Sequence, residues 1–202
     1  MSMTPINLNR QRGFALLMSL LIIGVVISVT MAIVELSLKQ LELSVSSRDS
    51  EIAFAAANAG MECAKLIRRS ASTTIESGAN TTFDCFETIS SVGNTGSTIH
   101  IQSGGSNGSV YRYQPEIDWS SSDRCSQIDM VTMVVNSDAN GPLVIGGTDN
   151  NSLKKIFSGY PNNTKSCDPG GRCTLVSVRG YSAKCADKSN PGTLMREILL
   201  EF

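Results

Sequence analysis

Apolar residues along this chain are concentrated in one uninterrupted run near the N-terminus. The 21 residues from Phe14 to Val34 contain no charged side chain, and a helix of that length, at about 1.5 Å per residue, crosses the ~30 Å hydrocarbon core of a bilayer. The run therefore predicts a membrane-spanning helix over residues 14–34. Because the preceding residues carry Arg10 and Arg12 and no acid, the positive-inside rule predicts a cytoplasmic N-terminal tail and an extracytoplasmic remainder.

The helical pattern continues beyond this apolar run. Apolar positions recur at spacings of three, four and seven as far as Leu66, and no proline occurs between Phe14 and Ala71. This period predicts that the same helix extends, as an amphipathic segment, over residues 35–70. The part from Glu51 to Gly60 is rich in small residues, which allow another element to approach the helix backbone closely. We expect a β-sheet to cover that face.

The remaining two-thirds of the chain, residues 71–202, has the pattern of a β-rich head. Its composition shifts to Ser, Thr, Asn and Gly, and short stretches of period-two alternation are separated by turn-forming residues. Such a pattern is typical of antiparallel strands. The predicted strands are 98–101, 110–119, 127–135, 173–181 and 194–202, and the predicted loops are 104–109, 138–141, 147–152 and 160–171.

The last predicted strand indicates how the layers are arranged. Alternation places Ile198, Leu200 and Phe202 on one face, and Glu197, Leu199 and Glu201 on the other. We expect the first set to pack on the long helix. The predicted fold class is therefore α+β, with a long N-terminal helix, membrane-spanning in its first half, packed on an antiparallel β-sheet head.

The residues at the start of the apolar run resemble a known signal. Arg12-Gly13-Phe14, followed directly by a long apolar helix, is similar to the type IV prepilin signal, in which a dedicated peptidase cuts after the glycine and methylates the new N-terminus. The resemblance implies a cytoplasmic leader of residues 1–13, cleavage between Gly13 and Phe14, and a mature chain that opens on N-methyl-Phe14. The alternative is an uncleaved single-pass anchor.

One position departs from the pilin pattern. Pilins usually carry Glu at the fifth mature position, where this chain has Met18; in the family that carboxylate pairs with the N-terminal amine of the subunit ahead. A carboxylate in the bilayer costs ~2.5–3.5 kcal/mol on insertion scales, so it is retained only where it has a function. Tip subunits of related filaments lack it. Met18 therefore favours a minor, tip-located pilin, and the alternative is a lineage that dispenses with the carboxylate.

A second stretch narrows the resemblance. Arg48-Asp49 followed by the Ala-rich residues 52–60 resembles the N-terminal region of minor pilins of the PilX type, which generally have Glu where this chain has Asn58. Plain helix propensity is the alternative explanation of the Ala-rich run. The resemblance covers residues 10–69 and implies a non-enzymatic subunit of a type IV pilus or related filament, without a cofactor.

The same resemblance implies partners and a location. The partners would be prepilin peptidase, the cytoplasmic membrane and other pilin subunits, and the processed chain would move from the inner membrane into an extracellular filament. The competing hypothesis from another class is a single-pass anchored module whose extracytoplasmic β-rich head binds a surface or small ligand outside any filament.

Six cysteines follow the predicted span, at positions 63, 85, 125, 167, 173 and 185. An even number in an oxidising compartment predicts three disulfides, and fifteen connectivities are possible. Short loops favour Cys63–Cys85 and Cys167–Cys173, which leaves Cys125–Cys185. A zinc site is the alternative, but the chain has no CxxC pair, and its only histidine, His100, is far in sequence from the cysteine-rich end.

Other candidate chemistry is weak. A net charge of -1, with no run of three Lys or Arg, argues against nucleic acid as a partner. Residues 104–108 fit the GxSxG pattern around Ser106, but His100 precedes that serine, whereas the hydrolase motif needs a later histidine. Residues 138–141 and 149–151 offer oxygen ligands without the distal acid of a calcium loop, and turns are the better prediction. We expect no catalytic or metal site.

Overall fold

The computed structural model describes residues 9–85, 88–93, 99–119 and 123–202. Its residues form two compact units, the first ending at Ser47 and the second running from Arg48 to Phe202. We call residues 14–47 the stem and residues 48–202 the head. Helix α1 (Asn9–Ser70) contributes to both, so the predicted end of the long helix near residue 70 is confirmed. Most of the predicted leader, residues 1–8, lies outside the described residues.

The stem is a single helical segment without a covering layer. Every side chain from residue 14 to residue 47 is exposed, and α1 is the one helix in the described residues that is long and apolar enough to cross a membrane. Its hydroxyl groups bond within the helix: Ser19 donates to the carbonyl of Leu16 at 2.8 Å, and Ser28 to that of Gly24 at 2.8 Å. These bonds leave few polar groups that need a partner in an apolar surrounding.

Where the structure describes it, the head contains antiparallel strands and, besides the end of α1, two short α-helices. The helices are α2 (Ser72–Glu76) and α3 (Leu153–Ile156). The strands are β1 (Thr81–Cys85), β2 (Thr88–Val92), β3 (Ile101–Ser103), β4 (Gly108–Tyr113), β5 (Glu116–Asp118), β6 (Cys125–Val135), β7 (Leu143–Gly146), β8 (Thr164–Cys167), β9 (Arg172–Tyr181) and β10 (Met195–Glu201).

These strands form a central sheet, a second small sheet and a hairpin. The central sheet has the order β10-β9-β6-β4, with β5 also paired to β6, the second sheet is β3-β7-β8, and β1 pairs with β2. Register in the central sheet places Ile128, Val178 and Ile198 side by side. All of these pairings are antiparallel.

The central sheet lies between two apolar clusters. On one face Ile128, Met130, Val176 and Val178 pack with residues of α1 that include Ala64 and Ile67. On the other face Val131, Met133 and Leu175 pack with Leu143 of the second sheet and with Leu153 and Phe157 at α3. The predicted α+β class is confirmed, and the head has three layers: α1, the central sheet, and the second sheet with α3.

Several predicted boundaries are wrong, and the reasons are local. The predicted strand 110–119 is divided into β4 and β5 at Pro115, which has no N–H to donate to the ladder. The predicted loop 160–171 contains β8, a short polar strand. Leu199, expected on a polar face, packs against the second cluster, because the second sheet covers that face.

Candidate functional site

The candidate functional region in the stem begins at Phe14. The peptide bond between Gly13 and Phe14 lies within α1, and Phe14 and Met18 are one turn apart on the same face of the helix. Their side chains are 65% and 46% exposed. Since residues 14–34 carry no ionisable side chain, this surface has no acid–base chemistry and offers only apolar contact.

The exposed apolar surface of the stem extends past the predicted span. Leu36, Leu38, Leu41, Leu43 and Val45 are between 51% and 70% exposed, although Glu35, Lys39 and Glu42 are interspersed among them. So much exposed apolar surface on a folded chain marks a site of contact with a membrane or with another protein.

The helix-to-sheet contact in the head depends on small residues. A Cβ atom placed on Gly180 of β9 would lie 2.1 Å from the carbonyl oxygen of Ala53 and 2.2 Å from the backbone nitrogen of Ala57. One placed on Gly60 would lie 2.7 Å from a methyl carbon of Val178. The predicted close approach of a sheet to the Ala-rich stretch is therefore present, but nothing in the sequence pattern singles out Gly180.

A polar contact in the same interface also escaped prediction. The buried Ser126 hydroxyl of β6 donates to the carbonyl oxygen of Ala56 at 2.6 Å and accepts from the indole N–H of Trp119 at 2.8 Å. Because an unpaired hydroxyl in this apolar layer would destabilise the fold, the contact fixes α1 against β6. A serine in a strand carries no sequence signal of such a role.

The cysteines form three disulfides in the head. Cys63–Cys85 joins α1 to β1, Cys125–Cys185 joins β6 to the segment after β9, and Cys167–Cys173 joins β8 to β9. These are the three pairs put forward from the sequence. A disulfide sulfur is not a thiolate, so the neighbouring group Asp118, Cys125 and Cys185 is no zinc site; its carboxylate accepts from the N–H of Cys185 at 2.8 Å.

An ion-pair cluster connects the end of α1 to the sheet. The Glu76 carboxylate lies 2.7 Å from the Arg68 guanidinium and 3.1 Å from that of Arg172, and Arg68 also donates to the Thr174 hydroxyl at 3.0 Å. One carboxylate of α2 thereby contacts both α1 and β9. The Arg68 and Glu76 side chains are only 11% and 24% exposed, so this pair is shielded from solvent, whereas Arg172 is 44% exposed.

The shifted pKa values in the head have structural causes. Lys165 donates to Glu201 at 2.6 Å, and this hydrogen bond lowers the pKa of the Glu201 carboxyl. Burial, and then the hydrogen bond to Glu201, raise the pKa of Tyr160. Burial also raises the pKa of Tyr113, whose hydroxyl donates to the carbonyls of Ile75 and Ala79. None of these groups forms a nucleophile–base pair.

The candidate residues for other chemistry lie in ordinary turns. Ser106 is exposed in the turn between β3 and β4, whereas a hydrolase nucleophile elbow needs a strand-to-helix turn. His100 approaches the carbonyl oxygen of Gly146 through Nδ1 at 3.1 Å. Asp138 and Asn140 are exposed in the turn after β6, and the amide of Asn107 donates to Gly141 at 2.9 Å.

Comparison with known proteins does not identify a family for this chain. The chain matches no protein-family model, no curated protein and no solved structure. The likeness to pilins therefore stays a prediction that depends on residues 10–69, and any function must be argued from the stem and the head themselves.

Proposed function

We propose that this chain is a minor pilin, a structural subunit of a type IV pilus or a related filament. The observation that carries the proposal is an exposed apolar helix that follows Arg12-Gly13-Phe14 directly and belongs to the same α1 on which the head is packed. A cut after Gly13 removes both arginines of the leader and leaves the apolar helix attached to the head. Such a product suits transfer from a bilayer into the core of a fibre.

The proposed mechanism is assembly by burial. In the membrane, residues 14–34 contact lipid with the tail before them in the cytoplasm and the head outside. During extraction the same side chains exchange lipid for the apolar helices of neighbouring subunits. Because Ser19 and Ser28 hydrogen-bond within their own helix, they need no partner in either surrounding.

The head gives the subunit its identity in this proposal. The Cys63–Cys85 disulfide and the close contact of α1 with β9 hold the sheet on the helix that enters the filament, and the other two disulfides crosslink the head itself. The head then determines which subunits dock beside it. At Met18 the stem lacks the carboxylate that pairs with a subunit ahead, which favours a place at the tip over that of a main repeating subunit.

Intact-mass analysis and N-terminal sequencing test this proposal most directly. In cells that contain prepilin peptidase, the purified chain should begin at methylated Phe14. In cells without the peptidase it should retain residues 1–13, which provides the matched control. An N-terminus at Met1 in peptidase-competent cells would contradict the proposal.

The location of the protein in the cell distinguishes a filament subunit from the competing hypothesis, a static membrane anchor. Immunogold labelling of sheared filaments should find the head on the fibres if the chain is a filament subunit. Label that stays wholly with the membrane fraction would favour an anchored binding module instead.

A further inference from the structure

Strand β10 forms an open edge of the central sheet. It pairs with β9 alone, and its register from Met195 to Glu201 is continuous. Edge strands of folded proteins are usually protected by a proline, a bulge, charged side chains or a covering element. The middle of β10, residues 198–200, has the sequence Ile-Leu-Leu and is only partly buried. This edge is therefore open to pairing with another strand.

The backbone hydrogen bonds of β10 leave one row of groups unpaired. Phe202 exchanges two backbone hydrogen bonds with Thr174 of β9, at 2.6 and 3.0 Å. Such pairs alternate along an antiparallel ladder, so the even-numbered residues from 196 to 200 also bond to β9. The N–H and C=O groups of the odd-numbered residues from 195 to 201 therefore point outward, and nothing within the described residues bonds to them.

Helix α1 runs beside this edge and forms one wall of a groove. At the start of β10, the Arg196 guanidinium donates to the Ser50 hydroxyl at 2.6 and 2.9 Å. At the end of β10, Arg69 and Leu200 line an open cavity of about 390 Å³. Phe54 lies one turn after Ser50 on the same face of the helix and is 54% exposed. We call the space between these residues of α1 and the outer edge of β10 the β10 groove.

Cationic side chains without a carboxylate partner lie at both ends of the β10 groove. Neither Arg69 nor Arg196 has a carboxylate at ion-pair distance in the part of the chain that the structure describes. Glu197 and Glu201 alternate to the opposite face of the strand, where cations of the head pair with them at 3.4 and 2.6 Å. Glu62 of α1 is paired with a lysine of its own helix at 2.6 Å.

We propose that the β10 groove binds an extended segment of a different protein, which adds a strand to the central sheet beside β10. A row of outward N–H and C=O groups at strand spacing matches the backbone of another extended chain. The segment carries a carboxylate near each end, facing Arg69 and Arg196, and apolar side chains between them that contact Phe54. Seven residues of strand, about 20 Å, span the distance.

The charges of the groove also decide against a second copy of this chain. Two β10 strands paired antiparallel would bring Arg196 of one chain to the end of the groove where Arg69 of the other lies, and like charges repel. The contact uses residues of the head alone, so it goes beyond the proposed function and does not depend on it.

A synthetic peptide tests the groove on the full-length protein in detergent. The peptide Asp-Thr-Val-Thr-Val-Thr-Asp, as a strand, places its carboxylates and valines on one face, and its pattern is the same in both directions. The control peptide is N-methylated on its three threonines, which removes the N–H groups that face β10 and keeps every side chain. We expect only the unmethylated peptide to protect the outward amides of β10 from hydrogen exchange.

Two variants of Leu199 provide the matched comparison on the protein. Leu199→Pro and Leu199→Ala both lose the leucine side chain, but only the proline also loses an outward N–H. Fluorescence anisotropy should show about tenfold weaker peptide binding to Leu199→Pro than to Leu199→Ala. Met195→Pro and Met195→Ala repeat the comparison where the side chain is 46% exposed, so the fold is kept.

Charge reversal tests the ends of the groove. Arg69→Glu and Arg196→Glu should each weaken binding of the peptide about threefold, as expected for an exposed ion pair. The double variant should prefer a peptide with lysine in place of both aspartates. Lys154→Glu makes the same change of charge at an exposed residue of α3, outside the groove, and should leave the affinity unchanged.

Each outcome either supports the added strand or overturns it. Equal binding of the methylated peptide, equal affinities of the proline and alanine variants, an affinity that ignores both arginines, or unprotected outward amides would overturn it. Protection that appears without peptide and grows with protein concentration would identify a second copy as the occupant and would also overturn it. Cleavage after Gly13 is measured separately, so the pilin proposal can fail while this contact stands, and the reverse.

Discussion

The two parts of α1 show how one helix serves two different surroundings. In the stem, large apolar side chains such as Leu36 and Leu43 are 61% and 70% exposed. In the head, Ala53, Ala57 and Ala64 are completely buried. The buried part therefore depends on small side chains and backbone approach to a sheet, whereas the exposed part offers bulky side chains that need lipid or another protein. Both parts are helical, and they differ in whether a sheet covers them: in the head the larger Met61 and Ile67 are buried as well.

Removal of the disulfide between α1 and β1 should cause the largest loss of stability in the head, and it should leave the stem unaffected. The Cys63→Ala/Cys85→Ala variant loses a crosslink between residues 22 apart in sequence, which the chain-entropy model values at about 3 kcal/mol. We expect that loss in the free energy of unfolding of the head, measured by denaturant titration of the full chain in detergent.

The stem should not respond to the same change. Membrane retention of the Cys63→Ala/Cys85→Ala variant after alkaline extraction should equal that of the parent chain, because the stem contains no cysteine. A stem that is lost from the membrane together with the disulfide would show that the two parts are not independent.

Alanine substitutions at one glycine of the head and one glycine of the stem should have the next largest difference in effect. Gly180→Ala places a methyl group on the backbone of Ala53 and Ala57, and overpacking of this kind typically costs about 1–3 kcal/mol. Gly24→Ala in the stem meets no atom within 4 Å. Denaturation midpoints should therefore fall for Gly180→Ala and stay constant for Gly24→Ala.

A third glycine provides the control within the head. Gly141 also has no atom within 4 Å of an added Cβ, so Gly141→Ala should leave the stability of the head nearly unchanged. Equal losses for Gly141→Ala and Gly180→Ala would contradict the close helix–sheet contact.

The long elements of the fold could be predicted from the sequence, whereas elements whose formation depends on partners distant in the chain could not. The helical part from Phe14 to Ser70 is 57 residues long, and β6 and β9 are 11 and 10 residues long, so each of them leaves an extended pattern in the sequence. Strand β8 has four mostly polar residues, and its pairing with β7 is a tertiary event. The β1–β2 hairpin and β7 are likewise too short to carry a clear period.

The candidate functional residues fall into the same two groups, those predicted from local sequence and those that depend on distant partners. Gly13, Phe14 and Met18 are predicted from a local motif and position. Short loops predicted two of the cysteine pairs and left Cys125–Cys185 as the third. Gly180, Ser126 and Glu76 matter because α1 lies against them, and one sequence without its fold does not show which serine, glycine or glutamate meets that helix.

Glu76→Gln should destabilise the head by about 1–3 kcal/mol. The change removes the charge that faces both Arg68 and Arg172, and Arg68, only 11% exposed, would keep a poorly solvated charge without its partner. Chemical denaturation of the full chain measures the loss. Glu62→Gln breaks the more exposed pair with Lys65 and should change stability by no more than about 0.5 kcal/mol; equal effects would contradict the shielding of Glu76.

The smallest expected effect is a pH dependence that belongs to the head alone. Because the Lys165 hydrogen bond lowers the pKa of Glu201 below 4.5, its stabilising contribution is complete above the unfolded pKa and is lost as the pH falls through the folded one. The side chain is 39% exposed, so solvent screening keeps this below about 1 kcal/mol. When the pH is lowered from neutral to below 4.5, the parent chain should therefore lose slightly more stability than the Glu201→Gln variant. Denaturation midpoints of both chains, measured at neutral and at acidic pH, test this. Membrane retention should not change with pH in either chain, since the apolar residues 14–34 of the stem have no group to titrate. Identical acid profiles for the two chains would contradict the contribution of Glu201.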